Sequence, residues 1–360
     1  MAAKSLSPAR RARRVVLSIA VGAVVALPAC GDGGDPPATA TGGAGAELAE
    51  AVHASTQTSF RFEARMTSIT DGEAAGDPSG ADPAVTGMVA AGWVHNSIDL
   101  AAGAPPIEEA LGADPGDAGL PPGDLTAETI TDGSVAYIHM PFLAAPPPGD
   151  RGDSTDGSIG TDADLAAAAA VVAAVSDGWG RVDLTGLTPA EVPRMLGAET
   201  LDPLLFLRMV EGGRDVESTG TTEIDGADVR GLRALVTYER MIAAQGLDVA
   251  EVRGRFEDLL ARAGTAGDQE VAAAVDGILA TEIPVEVWID DHGRVRRSAL
   301  DLDMHDLLDA ASAVVDEPMP DLGGVSMSID LFDHGDPSIV VGPPASSTDV
   351  TDAFLHLVER

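Results

Sequence analysis

The chain has a single cysteine, Cys30, and a single lysine, Lys4, among 360 residues, and aromatic side chains make up only 3% of it. One thiol excludes an intrachain disulfide, so the fold must hold by apolar burial. With aromatics scarce, the core falls to Val, Leu, Ile, Ala and Met. Arg without Lys, beside abundant Ala, Gly, Asp and Val, reads as the coding bias of a GC-rich genome and carries no mechanism. Positive charge is short as well: 22 Lys and Arg stand against 58 Asp and Glu, a formal charge of −36. Such a surface repels polyanions, which argues against nucleic acid as a partner and against a body lying flat on anionic headgroups. Catalytic patterns are also missing. The chain has no HExxH pair and no Gly-x-Ser-x-Gly turn, so neither a zinc protease nor a serine hydrolase is expected. Asp301, Asp303, His305 and Asp306 gather oxygen and nitrogen atoms, but a strand end running into a helix cap explains the same residues. No metal and no other cofactor is expected, and the chain reads as non-enzymatic.

What is present begins at the N-terminus. Arg10, Arg11, Arg13 and Arg14 precede an apolar run from Val15 to Ala26, which Leu27-Pro28-Ala29-Cys30 closes. That run is shorter than the roughly 20 residues that span a hydrocarbon core, so residues 1–29 read as an export signal. The segment resembles a bacterial lipoprotein signal with its lipobox, with Pro28 in place of the commoner Ser or Ala. The resemblance implies a diacylglycerol on the Cys30 thiol, cleavage before it, and Cys30 as the mature N-terminus. Loss of the leader's five basic residues takes the formal charge from −36 to −41. Residues 30–45 are Gly, Asp, Pro, Ala and Thr without periodicity, a flexible tether.

Hydrophobic spacing then predicts a helix over Glu47 to Gln57 running into a strand with Phe60, Phe62, Ala64 and Met66 on one face. Val85 to Leu100 reads as its antiparallel partner. A hairpin is expected across Asp132-Gly133 and another across Asp225-Gly226, whose second strand carries Leu232, Ala234, Val236 and Tyr238 on one face. Asp164 to Val175 reads as an Ala/Val helix. Thr188-Pro189 and Asp202-Pro203 mark helix starts, and Leu204 to Val210 is apolar nearly all round. Met241 to Ala280 predicts two helices split near Gly264 to Gly267. Ile283, Val285, Val287 and Ile289 alternate with polar neighbours ahead of a turn at Asp291-His292-Gly293, as do Val325, Met327, Ile329 and Leu331 near the end. Disordered Gly/Pro/Asp insertions are expected near 71–83, 101–124 and 144–163. Arg151-Gly152-Asp153 in the last of these is a chance tripeptide. Hairpin-joined strands with one dry face predict an α+β fold in which an antiparallel sheet is covered by helices.

The order of these segments, with Trp179 before a Pro-capped helix and Val285 to Arg297 as a strand-turn-strand, resembles the actinobacterial LppX/LprA/LprF/LprG lipoprotein group. That group's fold is similar to the periplasmic carrier LolA. The resemblance implies one domain over 46–343, a curved half-barrel closed by helices around an apolar cavity, with 344–360 as a tail or short helix. Candidate lining residues are Leu204, Leu205, Phe206, Leu207, Val236, Tyr238, Val285, Val287, Ile289, Met327 and Ile329. The implied function is a lipoprotein on the outer, extracytoplasmic leaflet of the cytoplasmic membrane. It would bind lipid or lipoglycan acyl chains and carry them through the envelope, with an envelope transporter as partner. The alternative is a non-enzymatic interaction or sensor module of the same fold with a packed interior.

Overall fold

Tight turns set the strand pairing. Asp225 and Gly226 both take positive φ, 51° and 77°, the two-residue geometry whose twist matches paired strands. Ala91 and Gly92 do the same at 52° and 83°. Because no Asn or Asp marks that second turn, Val85 to Leu100 reads as one strand in the sequence, whereas the structure folds it into two. At the Asp132-Gly133 turn, the Asp132 carboxylate accepts the N–H groups of Ser134 and Val135 at 2.9 and 3.0 Å. Partial burial opposes its ionisation, but these donors win and hold its carboxyl below the usual range.

The computed structural model describes residues 43–69, 85–99, 126–144, 162–185, 203–244, 247–263, 267–303 and 324–358. Cys30, the leader and most of the tether lie outside these, as do the loops expected at 71–83 and 101–124, Arg151-Gly152-Asp153, the Thr188-Pro189 helix start, and His305 with Asp306. In chain order the elements are α1 (Gly43–Thr56), β1 (Phe60–Ile69), β2 (Val85–Ala90), β3 (Trp93–Asp99), β4 (Thr126–Thr131), β5 (Val135–His139), α2 (Asp162–Asp177) and β6 (Gly180–Asp183). There follow α3 (Pro203–Glu211), β7 (Arg214–Ile224), β8 (Ala227–Thr237), α4 (Tyr238–Ala244), α5 (Val249–Ala263) and α6 (Asp268–Ala280). The chain continues through β9 (Glu282–Asp290), β10 (Val295–Asp303), β11 (Gly324–Phe332), β12 (Thr348–Asp349) and α7 (Thr351–Val358). The α+β class is therefore as expected; the registers described between β1 and β6 and between β7 and β11 are antiparallel, and β6 and β12 pair in parallel.

The described residues divide into two compact units. One holds α1, α3 to α6 and a sheet in the order β11-β10-β9-β8-β7. Helix starts here follow local chemistry. Pro203 opens α3 at the position where its missing N–H costs nothing. Asp248 Oδ1 accepts Ala250 N–H at 2.8 Å ahead of α5, and the Glu270 carboxylate accepts Gly267 N–H at 3.0 Å at the start of α6. The Asp248 cap divides what the sequence offered as one helix after Met241 into α4 and α5; the split before α6 falls where expected.

The other unit holds the first part of β1, then β2 to β6, β12, α2 and α7, with its sheet in the order β12-β6-β5-β4-β3-β2-β1. Its inner face carries Phe60, Phe62, Val85, Val89, Val94, Ala136 and Val182, all at most 4% exposed. Register places Phe62 opposite Gly87, and the Phe62 ring fills the space a Gly87 side chain would need. Helix α2 lies mostly exposed but buries Val175 beside Gly180.

Candidate functional site

The residues offered as an acyl-chain lining gather in one layer of the first unit. Register sets Val285 opposite Ala234 and Leu300, and Val287 opposite Leu232 and Ser298. Val236 faces Ile283, Ile329 faces Ser298, and Met327 faces Leu300, so these side chains share one side of the sheet. Ile289 lies two residues beyond Val287 on that side. Helix α3 packs against α1, α4 and β8 and contributes Leu204, Phe206 and Leu207. The side chain of Leu205 lies outside the described ones.

Burial in this layer is close to complete. Val285 and Val287 are 0% exposed, Leu207 and Val236 1%, Ile289 and Ile329 2%, Phe206 3% and Leu204 7%. Side chains lining a water-sized hollow would keep accessible surface, so these pack directly against their neighbours. Helix α1 completes the contacts with Leu48, Ala51 and Val52, and α6 buries Val271, Val275 and Ile278 and packs against α4 and α5. The α1 positions were legible from helical spacing. Those of α6 were hidden in an Ala/Val-rich run with little polar contrast.

One candidate sits elsewhere than expected, and another is less buried than its neighbours. Tyr238 does not continue β8 but opens α4, where its ring lies 6.4 Å from that of Phe256 in α5. Burial there pushes its phenol pKa up, which keeps the hydroxyl protonated. On β11 the expected dry and wet faces are not separated: Met327 is half-buried, while Ser326 and Ser328 are 2% and 1% exposed. Short hydroxymethyl groups sit low on the sheet, where longer cross-strand neighbours cover them. One such neighbour is Arg297, whose Nε donates to Asp330 Oδ1 at 2.5 Å across the β10 and β11 pair. Ser55 ties helix to sheet: its hydroxyl donates to Ala51 O at 2.8 Å and accepts Val295 N–H at 2.9 Å.

The second unit has two features absent from the candidate set. On its inner face Asn96 and Thr129, 1% and 2% exposed, meet at 3.5 Å from Nδ2 to Oγ1. They are a polar pair in an otherwise apolar row. On the opposite, half-buried face, the Trp179 ring stands 5.4 Å from that of His139 and 6.4 Å, edge-on, from that of His95. Trp93 and Tyr137 pair at 6.2 Å on the same face. His95 Nε2 lies 3.7 Å from Glu128 Oε1, beyond hydrogen-bond reach, and burial lowers the imidazole's pKa against the opposing pull of that carboxylate. His139 Nδ1 points at the carbonyls of Val175 and Gly178, 3.1 and 2.6 Å away, which fixes the ring with its proton on Nδ1. Sequence reading scattered these residues because they come from separate strands.

One cluster has the composition of a metal site: Asp290, Asp291 and His292 at the turn between β9 and β10. Asp290 Oδ1 there accepts the N–H groups of His292 and Arg294, both at 2.9 Å, so the carboxylate shapes the turn. Among the described residues no helix is long and apolar enough to cross a membrane.

No protein-family model matches the chain, and no curated protein matches it. Solved structures do align. The Mycobacterium tuberculosis lipoprotein LppX aligns over 83% of this chain and 98% of its own, at 11% identity and a TM-score of 0.36. LprF from Mycobacterium bovis aligns over 86% of this chain and 100% of its own, at 10% identity and a TM-score of 0.32. A LolA superfamily protein from Nitrosomonas europaea covers 82% of this chain and 94% of its own, at 9% identity and a TM-score of 0.18. At TM-scores this low the architecture rests on the strand registers of the chain itself.

Proposed function

We propose that the protein is a membrane-anchored lipoprotein, held by an acylated Cys30 at the outer leaflet of the cytoplasmic membrane, that binds lipid or lipoglycan acyl chains and carries them in the envelope. Delivery would be to an envelope transporter, with no covalent chemistry. The observation that carries the reading is the composition of the layer between α3 and the sheet. Apart from Arg208 and Glu211, every residue of α3 has a side chain without a nitrogen or oxygen atom. Displacing that helix gives up apolar burial, which an entering acyl chain replaces at about 0.8 kcal/mol per CH₂. The packed layer is then the empty state, and Leu204, Phe206, Leu207, Val236, Val285, Val287, Ile289 and Ile329 line the site once α3 moves.

A second reading is favoured by the near-zero exposure of the same residues: a packed module that docks an envelope protein and carries nothing. Lipid extraction and native mass spectrometry of the exported chain carrying Cys30→Ala, purified without detergent, separate the two. A carrier retains acyl lipids at near-stoichiometric amounts. A chain that emerges empty, and stays empty after exposure to vesicles, refutes carriage. The same variant tests the anchor, since it should leave the membrane fraction.

A further inference from the structure

The chain contains three tryptophans and two tyrosines in 360 residues, yet Trp93, Trp179 and Tyr137 lie on one face of one sheet. That face is the half-buried one of the second unit, opposite the apolar row of Phe60 and Phe62. Register explains the gathering. Glu128 stands opposite His139, and His95 lies opposite Ile130, which in turn lies opposite Tyr137. The rings roof Ile130, itself only 7% exposed, while remaining partly open to solvent themselves.

We propose that this patch, centred on the Trp179 indole between His95 and His139, binds a neutral sugar ring. The electron-rich faces of indole and phenol attract the weakly positive C–H groups of a pyranose, and stacking on a ring contributes about 0.5–1.5 kcal/mol beyond burial. Around the rings stand groups that match hydroxyls. The Glu128 carboxylate accepts, and His139, with its proton held on Nδ1, presents Nε2 as an acceptor. His95 supports the patch from within, its Nε2 buried 3.7 Å from Glu128 Oε1. Charge narrows the ligand: Glu128 stands in the patch, and Arg181, opposite Tyr137 on the same face, is already paired with Asp183 and Asp349, so uronates, sulfated sugars and phosphates meet net negative charge and uncharged saccharides are favoured. Size separates it from a protein partner. From β3 to β6, and along Trp93 to Ser97, the patch measures about 14 by 13 Å, roughly 180 Å². A stable protein interface needs about 800 Å² on each side. No residue of the first unit is used, so the inference stands apart from acyl-chain carriage.

The test is a titration of the exported chain carrying Cys30→Ala with maltotriose, cellotriose and mannotriose, read by tryptophan fluorescence, with trigalacturonate as the anionic control. At least one neutral trisaccharide should bind while trigalacturonate does not. Trp179→Leu should weaken that binding about three- to tenfold, the loss of one stacked ring. Glu128→Gln, close to isosteric, should weaken it with an unchanged melting temperature, and Trp288→Leu in the first unit should leave it alone. The same trisaccharide carried on a lipid should lose affinity to Trp179→Leu by the same factor. Silence from all three neutral sugars at about 10 mM overturns the proposal. So does binding that survives both Trp179→Leu and Glu128→Gln, or binding of the lipid-linked form only, which would place recognition in the acyl chain. Capture of a protein by this face, without sugar binding, also overturns it.

Discussion

Val287 offers a direct measure of whether the layer under α3 is full. It is 0% exposed and sits between Leu232 of β8 and Ser298 of β10. Val287→Ala deletes two buried carbons, worth about 1.6 kcal/mol in transfer, and leaves a cavity of roughly 50 Å³ that adds about 1.2 kcal/mol, for a loss near 3 kcal/mol. Val287→Phe inserts a ring where nothing is vacant and should cost about 1–3 kcal/mol through displaced neighbours. Both are read by urea unfolding of the chain carrying Cys30→Ala. Trp288, the next residue on β9, reports the first unit once Trp93 and Trp179 are replaced by Phe. The pair of substitutions matters more than either alone. In a packed layer both destabilise, whereas beside a hollow the Phe variant would be tolerated. A Val287→Phe chain within about 0.5 kcal/mol of the parent would refute the packing argument, because overpacking costs more than that in a filled core.

Gly87→Ala should destabilise the second unit by at least about 2 kcal/mol in urea titration, since the new Cβ would lie 2.1 Å from His95 O and 2.6 Å from the Phe62 ring. His95 should make stability pH-dependent. Its folded pKa lies below 6.5, so the unfolded chain takes up the proton first and stability falls as pH drops from about 6.5 towards the folded value. Urea midpoints between about pH 5 and 8 should lose that slope in His95→Phe, and an unchanged slope would mean that burial of the His95 ring does not govern its ionisation. Asp330→Ala should cost about 1.5–3 kcal/mol by removing the carboxylate that Arg297 bonds, while Asp330→Asn, which keeps an acceptor oxygen, should cost less in the same urea titration.

The hairpins at Asp132-Gly133 and Asp225-Gly226 were legible because their turn residues accept positive φ and flanking alternation has a period of two. The Ala91-Gly92 hairpin was not, since a turn led by alanine carries no local mark. The face of β8 was legible through Val236, but Tyr238 continued the same alternation into what the structure makes a helix. Periodicity records which side chains prefer burial; it does not record where the backbone changes direction. The sugar-facing patch shows the same limit from another side. Trp93, Glu128, His139 and Trp179 have no common spacing, and only strand register makes them neighbours.

By itself, then, the sequence determined the α+β class and most strand faces, because each follows from local spacing, and its single cysteine ruled out an intrachain disulfide. The tertiary structure decided that the apolar face of the first unit is filled by its own helices, that Ser326 and Ser328 are more deeply buried than Met327, and that scattered rings meet on one sheet face. Those outcomes depend on which strands pair and how far helices approach them, and such long-range contacts are set by packing between segments that no single stretch of chain encodes.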